Sequence, residues 1–212
     1  MKARHAAALL LLAAVTACSS GSKPLAEISG GQPAGDLRGD VLEPPSPEPA
    51  VQLTDTAGAS YDLRKATAGK VALVYFGYTH CPDICPTFMA DVAQALREST
   101  AAVRSRVDVI FISVDPRRDS GQTIRRWLDN FNPHFVGLRG SIHQIIQTQR
   151  AMGVPASRVK PHSKHGYTVE HSAELLAYTP DRVGHVLYTE GPTTISDLRH
   201  DLAILTTSTA YA

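Results

Sequence analysis

Two cysteines four residues apart, Cys81 and Cys85, give the strongest chemical signal in the sequence. They lie in the segment HCPDICP, where Pro82 and Pro86 stiffen the backbone because proline fixes φ. We predict that a helical turn places both sulfur atoms on one side, at a helix N-terminus whose partial positive charge stabilises thiolates. Such a pair can bind a soft metal ion, Cu(I) foremost, or close a disulfide. Two buried cysteines that only fill space are the alternative, and the flanking prolines argue against it.

A third metal ligand is expected, because a soft ion at two thiolates usually takes one more donor. The histidines beyond residue 50 are the candidates: His80, His134, His143, His162, His165, His171, His185 and His200. Three of them lie inside predicted helices or strands, and His80 points away from the pair if Cys81 points inward. His171 differs, because it lies where an irregular segment at 166–173 enters a predicted strand.

The elements predicted around the cysteines form an α/β sandwich. Continuous apolar runs at 71–76 and 107–114 predict buried strands, and apolar residues on one face of 86–102 predict a helix between them. This order indicates a parallel βαβ unit. The further predicted elements are a hairpin at 51–53 and 61–63, a helix at 120–130, a strand at 135–138, a helix at 141–152, a hairpin at 175–179 and 183–188, and a helix at 194–205. A thioredoxin-like fold fits this order best: a central mixed sheet flanked by helices, with an N-terminal hairpin.

The first 49 residues are predicted to export and tether the protein. Residues 1–17 carry two early positive charges and an apolar run that is too short for a bilayer, which is typical of a signal peptide. The run ends in Val-Thr-Ala-Cys, which resembles a bacterial lipobox and predicts lipidation of Cys18. Simple cleavage that leaves Cys18 as a spare thiol is the alternative. The six prolines of residues 18–49 predict a flexible, lipid-anchored linker, and the folded domain is expected at 50–212.

Composition narrows the class of protein. A chain of 212 residues fits one domain with tails, and a hydrophobic content of 43% excludes general disorder. With 21 basic and 20 acidic residues, the net charge of +1 argues against a nucleic-acid partner. After the signal peptide, no segment reaches the roughly 18 apolar residues of a membrane span. We therefore expect a lipid-anchored protein on the outer face of the cytoplasmic membrane, acting as a monomer.

Three ordered motifs closely resemble the Sco/SenC family of copper chaperones, over residues 49–207. The motifs are FGYTHCPDICP at 76–86, ISVDPRRD at 112–119 and VEHS at 169–172. The resemblance implies a thioredoxin-like domain that holds copper, as Cu(I) or Cu(II), with Cys81, Cys85 and His171. The sequence departs from the family at Glu170, where aspartate is usual, which is a conservative change. Asp115 and Asp119 match a family segment, and turn and helix-capping roles suffice for them.

The same resemblance implies a partner, the CuA site of cytochrome c oxidase subunit II. The protein would deliver copper to that site, and the dithiol of Cys81 and Cys85 could also reduce the site's own cysteines. A thiol–disulfide oxidoreductase or a thiol peroxidase that uses Cys81 and Cys85 is the alternative. That alternative leaves His171 without a role.

Overall fold

The computed structural model describes residues 36–162, 166–191, 193–208 and 211. The predicted signal peptide, the first half of the predicted linker and Cys18 lie outside these residues. Within them, no helix has both the length and the hydropathy that a membrane crossing requires.

Strands and helices alternate through the described chain. The strands are β1 (Asp40–Pro47), β2 (Gln52–Asp55), β3 (Ser60–Asp62), β4 (Val71–Gly77), β5 (Val107–Ser113), β6 (Val136–Arg139), β7 (Arg158–His162), β8 (Gly166–Glu170), β9 (Glu174–Tyr178) and β10 (Val183–Thr189). The helices are α1 (Leu63–Ala66), α2 (Ile84–Glu98), α3 (Ala101–Arg104), α4 (Gly121–Leu128), α5 (Ile142–Ala151) and α6 (Ile195–Thr207). Each of the predicted strands and long helices is present, with its ends shifted by a few residues.

The fold is the predicted thioredoxin-like arrangement, built on an eight-stranded mixed sheet in the order β1-β10-β9-β4-β5-β6-β2-β3. Strands β4 and β5 run parallel and α2 connects them, which confirms the βαβ unit. Every residue of β4 is buried, as the continuous apolar run predicts for a strand covered on both faces. Strands β2 and β3 form the predicted N-terminal hairpin. Helix α2 therefore follows the most buried strand after a loop at 78–83.

Strand β1 corrects the predicted linker, because it lies within residues 18–49 and belongs to the sheet. It pairs antiparallel with β10 at the edge of the sheet. The backbone N–H groups of Arg38 and Gly39 donate to the buried carboxylate of Asp201 at 2.9–3.0 Å. The prolines of this segment favour a linker by composition, but an edge strand tolerates them because its outer side needs no hydrogen-bonded partner. Residues 36–49 are therefore part of the folded domain.

Strands β7 and β8 form a separate antiparallel hairpin, which is not among the predicted elements. Their sequences, RVKPH and GYTVE, lack a clear alternation of apolar and polar residues. Val159 is 49% exposed, whereas Val169 is buried in the core. The hairpin therefore packs on the domain through few apolar side chains, and it leads directly into the segment that carries His171.

Candidate metal centre

Cys81 and Cys85 lie at the junction between β4 and α2. Cys85 is in the first turn of α2, whereas Cys81 precedes the helix, so the two do not share a helical turn as predicted. The Cys81 sulfur instead accepts the backbone N–H of Cys85 at 3.4 Å. The side chain of Asp83, the N-cap residue, makes no capping hydrogen bond. The Cys81 sulfur thus takes the place of a capping side chain and lies at the positive end of the helix.

Gly77, the last residue of β4, allows Cys85 to approach the sheet. A Cβ atom at this position would lie 2.8 Å from the rings of Phe111 and Tyr75 and 3.1 Å from the Cys85 sulfur. Side chains essentially never pack as closely as 2.8 Å, so a larger residue would displace the two rings and crowd the Cys85 sulfur. The buried position of Cys85 in the core follows from this close contact.

His171 reaches the cysteines from the opposite side, from the irregular segment between β8 and β9. Its Nε2 atom lies 3.3 Å from the Cys85 sulfur. Its Nδ1 atom lies 2.8 Å from the carbonyl oxygen of Ser172, which can only accept, so Nδ1 carries the proton. The rings of Tyr75 and Tyr78 meet the imidazole edge-on, with centroids at 6.2 and 5.6 Å. This arrangement directs the Nε2 atom at the sulfur atoms, as in many metal-binding histidines.

The three ligand atoms of Cys81, Cys85 and His171 all lie within 4.8 Å of one another. One ion can contact all three, because metal–sulfur and metal–nitrogen bonds in proteins measure about 2.0–2.3 Å. In the described part of the chain, no other group of three such side chains is that compact. Two thiolates and one imidazole suit soft ions, and Cu(I) above all.

The two cysteines differ in acidity. Hydrogen bonding to Cys85 is the main effect that lowers the pKa of Cys81 to about 4, and a hydrogen bond from His171 adds to it against the opposing effect of burial. The same interaction with Cys81, together with burial, raises the pKa of Cys85 far above its usual range. Before metal binding, Cys81 is therefore a thiolate and Cys85 a thiol.

The other histidines lie elsewhere. The side chain of His80 is half exposed, with its Nδ1 atom 3.7 Å from Asp119. His185 and His200 contact the carboxylates of Asp181 and Asp201 at 2.7 and 2.9 Å. His134 and His143 are exposed, whereas the side chain of His162 and all of His165 lie outside the described residues.

Asp119 has a structural role that the sequence did not show. Its fully buried carboxylate accepts the backbone N–H of Thr79 at 3.1 Å and the hydroxyls of Thr79 and Ser113, each at 2.6 Å. It does not cap α4 as predicted, because Ser120 does so. Asp119 therefore ties the loop that carries Cys81 to the end of β5. Its position after a buried strand was the available signal, but the partner was not evident from local sequence.

Comparison with known proteins agrees with this geometry. The sequence profile of the SCO1/SenC family matches residues 42–203. The copper-bound structure of ScoI from Bradyrhizobium japonicum is 32% identical, with a TM-score of 0.66, over 76% of this chain and 99% of that one. The apo Sco1 protein from Thermus thermophilus is 30% identical, with a TM-score of 0.71, over 80% of this chain and 96% of that one.

One curated relative is considerably longer than the matched segment. The mitochondrial SCO2 homologue of Bos taurus is 38% identical over 114 residues, which is 53% of this chain but only 43% of the bovine protein. The similarity therefore concerns the domain rather than the whole of that relative.

Proposed function

The chain belongs to the SCO1/SenC family, and from that premise we propose that it is a copper chaperone whose cargo is bound by Cys81, Cys85 and His171. The observation that carries the proposal is the convergence of two sulfur atoms and one imidazole nitrogen within 4.8 Å, although His171 lies 86 residues after Cys85. A purely structural cysteine pair has no need of an imidazole whose Nε2 atom faces it. The thiolate state of Cys81 also suits capture of a soft cation without prior loss of a proton.

The unequal exposure of the two cysteines supports a route for transfer. Cys85 is fully buried, whereas Cys81 is partly exposed in the loop before α2. A thiolate of a partner protein therefore reaches the bound copper from the Cys81 side and occupies an open coordination position. Cys81 and His171 then leave the ion before Cys85 does, so the copper is never released to solvent.

We further propose that the recipient is the CuA site of cytochrome c oxidase subunit II, as the family resemblance implies. The test is to load the reduced domain with Cu(I) and mix it with the copper-free CuA domain of subunit II. We expect one copper per chain before mixing and copper-loaded recipient afterwards. Cys85→Ser should bind and transfer none, and His143→Ala, an exposed histidine in α5, is the matched control. A wild-type domain that binds no copper would refute the chaperone function.

Thiol–disulfide exchange is a second candidate, because a thiolate lies beside a thiol and both cysteines are free. The Cys81 thiolate would attack a disulfide of the recipient, and Cys85 would then resolve the mixed disulfide. The pair is oxidised to a disulfide while the recipient gains two thiols. Mixing the metal-free reduced domain with the oxidised CuA domain tests this step by thiol counting. Reduction of the recipient without copper would support it, and unchanged thiol counts would exclude it.

We also propose that the domain is tethered to the outer face of the cytoplasmic membrane through a lipid on Cys18. The support is the sequence alone: an apolar run that ends in Val-Thr-Ala-Cys. Cys18→Ala should move the protein from the membrane fraction to the soluble fraction, or stop its processing. A variant that stays membrane-bound with an unchanged mature mass would contradict the lipid anchor.

A further inference from the structure

The hairpin of β7 and β8 needs an anchor, because it makes no main-chain pairs with the eight-stranded sheet in the described residues. It also ends immediately before His171. The position of the imidazole therefore depends on how this hairpin is attached to the domain. Besides the buried side chain of Val169, a polar cluster at the carboxyl end of β5 makes that attachment, and the cluster consists of Asp115, Arg118 and Tyr167.

Arg118 is the centre of this cluster. Its Nε atom pairs with the carboxylate of Asp115, which is only 2% exposed. Its Nη1 atom donates to the backbone carbonyl oxygen of Tyr167 in β8 at 3.1 Å. The hydroxyl of Tyr167 donates to the second oxygen of the same Asp115 carboxylate at 2.8 Å. Three groups from two separate segments thus close a ring of hydrogen bonds.

The guanidinium of Arg118 also stacks on aromatic rings that lead to the metal centre. It lies 3.9 Å from the centroid of the Tyr167 ring and 5.6 Å from that of Tyr78. The Tyr78 ring in turn meets the imidazole of His171 edge-on at 5.6 Å. Such cation–π contacts and a planar set of donors are properties of arginine that lysine does not reproduce. Arg118 therefore touches both the hairpin before His171 and the ring beside it.

We infer that Arg118 is a positioning residue that holds His171 against the cysteine pair by clamping the hairpin to Asp115. The inference rests on the proposed copper function, for which it explains how an irregular segment presents its ligand. The clamp acts on the third ligand only, because α2 holds Cys85 against β4 and Asp119 holds the loop that carries Cys81. Loss of Arg118 should therefore resemble loss of the imidazole and leave the two sulfur ligands in place.

The test compares the copper affinity and the Cu(II) electron paramagnetic resonance spectra of Arg118→Met, His171→Ala and the double variant. We expect Arg118→Met to bind one copper with about tenfold lower affinity, which is typical when a partner that orients a ligand is lost. The nitrogen hyperfine splitting of the imidazole should weaken in parallel. The double variant should bind no more weakly than His171→Ala alone. Arg199→Met, which removes an exposed ion pair with Glu98, is the control.

Two results would overturn the inference: an unchanged nitrogen splitting in Arg118→Met, or losses in affinity that multiply in the double variant. If Arg118→Met fails to fold, Arg118→Lys keeps the positive charge beside Asp115 and should give a smaller loss of the same kind. Amide hydrogen exchange of the metal-free protein gives a second readout. The amides of residues 166–171 should exchange faster in the Arg118 variants than in the wild type, while the amide of Cys85 should exchange at the same rate. This readout stands even if the wild-type domain binds no copper, so the two proposals can fail separately.

Discussion

Cys85 and His171 contribute neighbouring atoms to one cluster, but the structure holds them by different means. Cys85 is in the first turn of α2, in the core against Gly77 of a fully buried strand. His171 is in an irregular segment after a two-stranded hairpin outside the main sheet. The cysteine is thus held by the fold itself, and the histidine by side-chain contacts that surround it. The difference suits a site that must keep one ligand fixed while another exchanges.

The largest expected effect is the loss of copper binding when Cys85 is replaced. Cys85→Ser should abolish copper binding and the intramolecular disulfide, because a hydroxyl is a hard, poor ligand and cannot form a cross-link. The free energy of unfolding should also fall, by about 1–3 kcal/mol, because the substitution buries a hydroxyl in the core in place of an apolar sulfur. Copper titration of the reduced domain, with thermal unfolding alongside, measures both. Retention of one copper per chain would show that Cys81 and His171 suffice.

Asp119, which anchors the loop that carries Cys81, should contribute strongly to the free energy of unfolding. Asp119→Ala removes three hydrogen bonds from a fully buried carboxylate and leaves the donors of Thr79 and Ser113 unpaired. We expect the free energy of unfolding to fall by about 2–4 kcal/mol. Denaturant titration measures the change. Asp129→Ala, which breaks a surface pair with Arg125, is the control and should cost less than about 0.5 kcal/mol. Equal losses in both variants would contradict the anchoring role of Asp119.

The sequence alone predicts the elements around the cysteines better than it predicts the position of His171. The run at 71–76 and the helical spacing after Pro86 are local signals, and they predict β4 and α2 correctly, although Cys81 lies before the helix and not in its first turn. The link to His171 spans 86 residues, and no local pattern encodes it. Its place in an irregular segment distinguishes His171 among eight histidines, but only the resemblance to a family assigns it to the metal.

The other differences between the predicted and the observed structure also arise from contacts between residues that are far apart in the sequence. Strand β1 owes its place to pairing with β10 and to contacts with Asp201, which local composition does not reveal. Its prolines resemble those of a linker. The partners of Asp119 come together because β4 and β5 end at the same edge of the sheet, whereas Arg118 meets Tyr167 from a hairpin outside that sheet. Tertiary contacts of this kind decide the structure wherever the local signal is weak or misleading.

Loss of the His171 ligand should weaken copper binding less than loss of Cys85. His171→Ala should lower copper affinity by about 10- to 100-fold, because the two sulfur ligands remain in place. The sulfur-to-copper charge-transfer absorption of the Cu(II) form should shift at the same time. His143→Ala and His200→Ala should change neither property, because both side chains lie away from the cluster. Equal effects in all three variants would remove His171 from the site.

The smallest predicted effect concerns the acidity of Cys81, which depends on contacts with both Cys85 and His171. Because the pKa of Cys81 is lowered to about 4, its thiolate persists at pH values where an ordinary cysteine is protonated. The rate of alkylation of Cys81 by iodoacetamide should therefore stay constant between about pH 5 and pH 7 and fall as the pH drops through 4. Cys85, whose pKa is raised, should remain unmodified over this range. Mass spectrometry of the metal-free protein identifies the modified residue.

Removing His171 should shift this profile in a defined direction. The hydrogen bond from His171 is one of the contacts that lower the pKa of Cys81, so His171→Ala should move the fall in alkylation rate to higher pH. Cys85→Ser alters the contact that lowers the pKa most and should move it further. His143→Ala should leave the profile unchanged. If His171→Ala and the wild type gave the same profile, the imidazole would not contact the cysteine pair in the metal-free protein, and its place in the site would depend on copper alone.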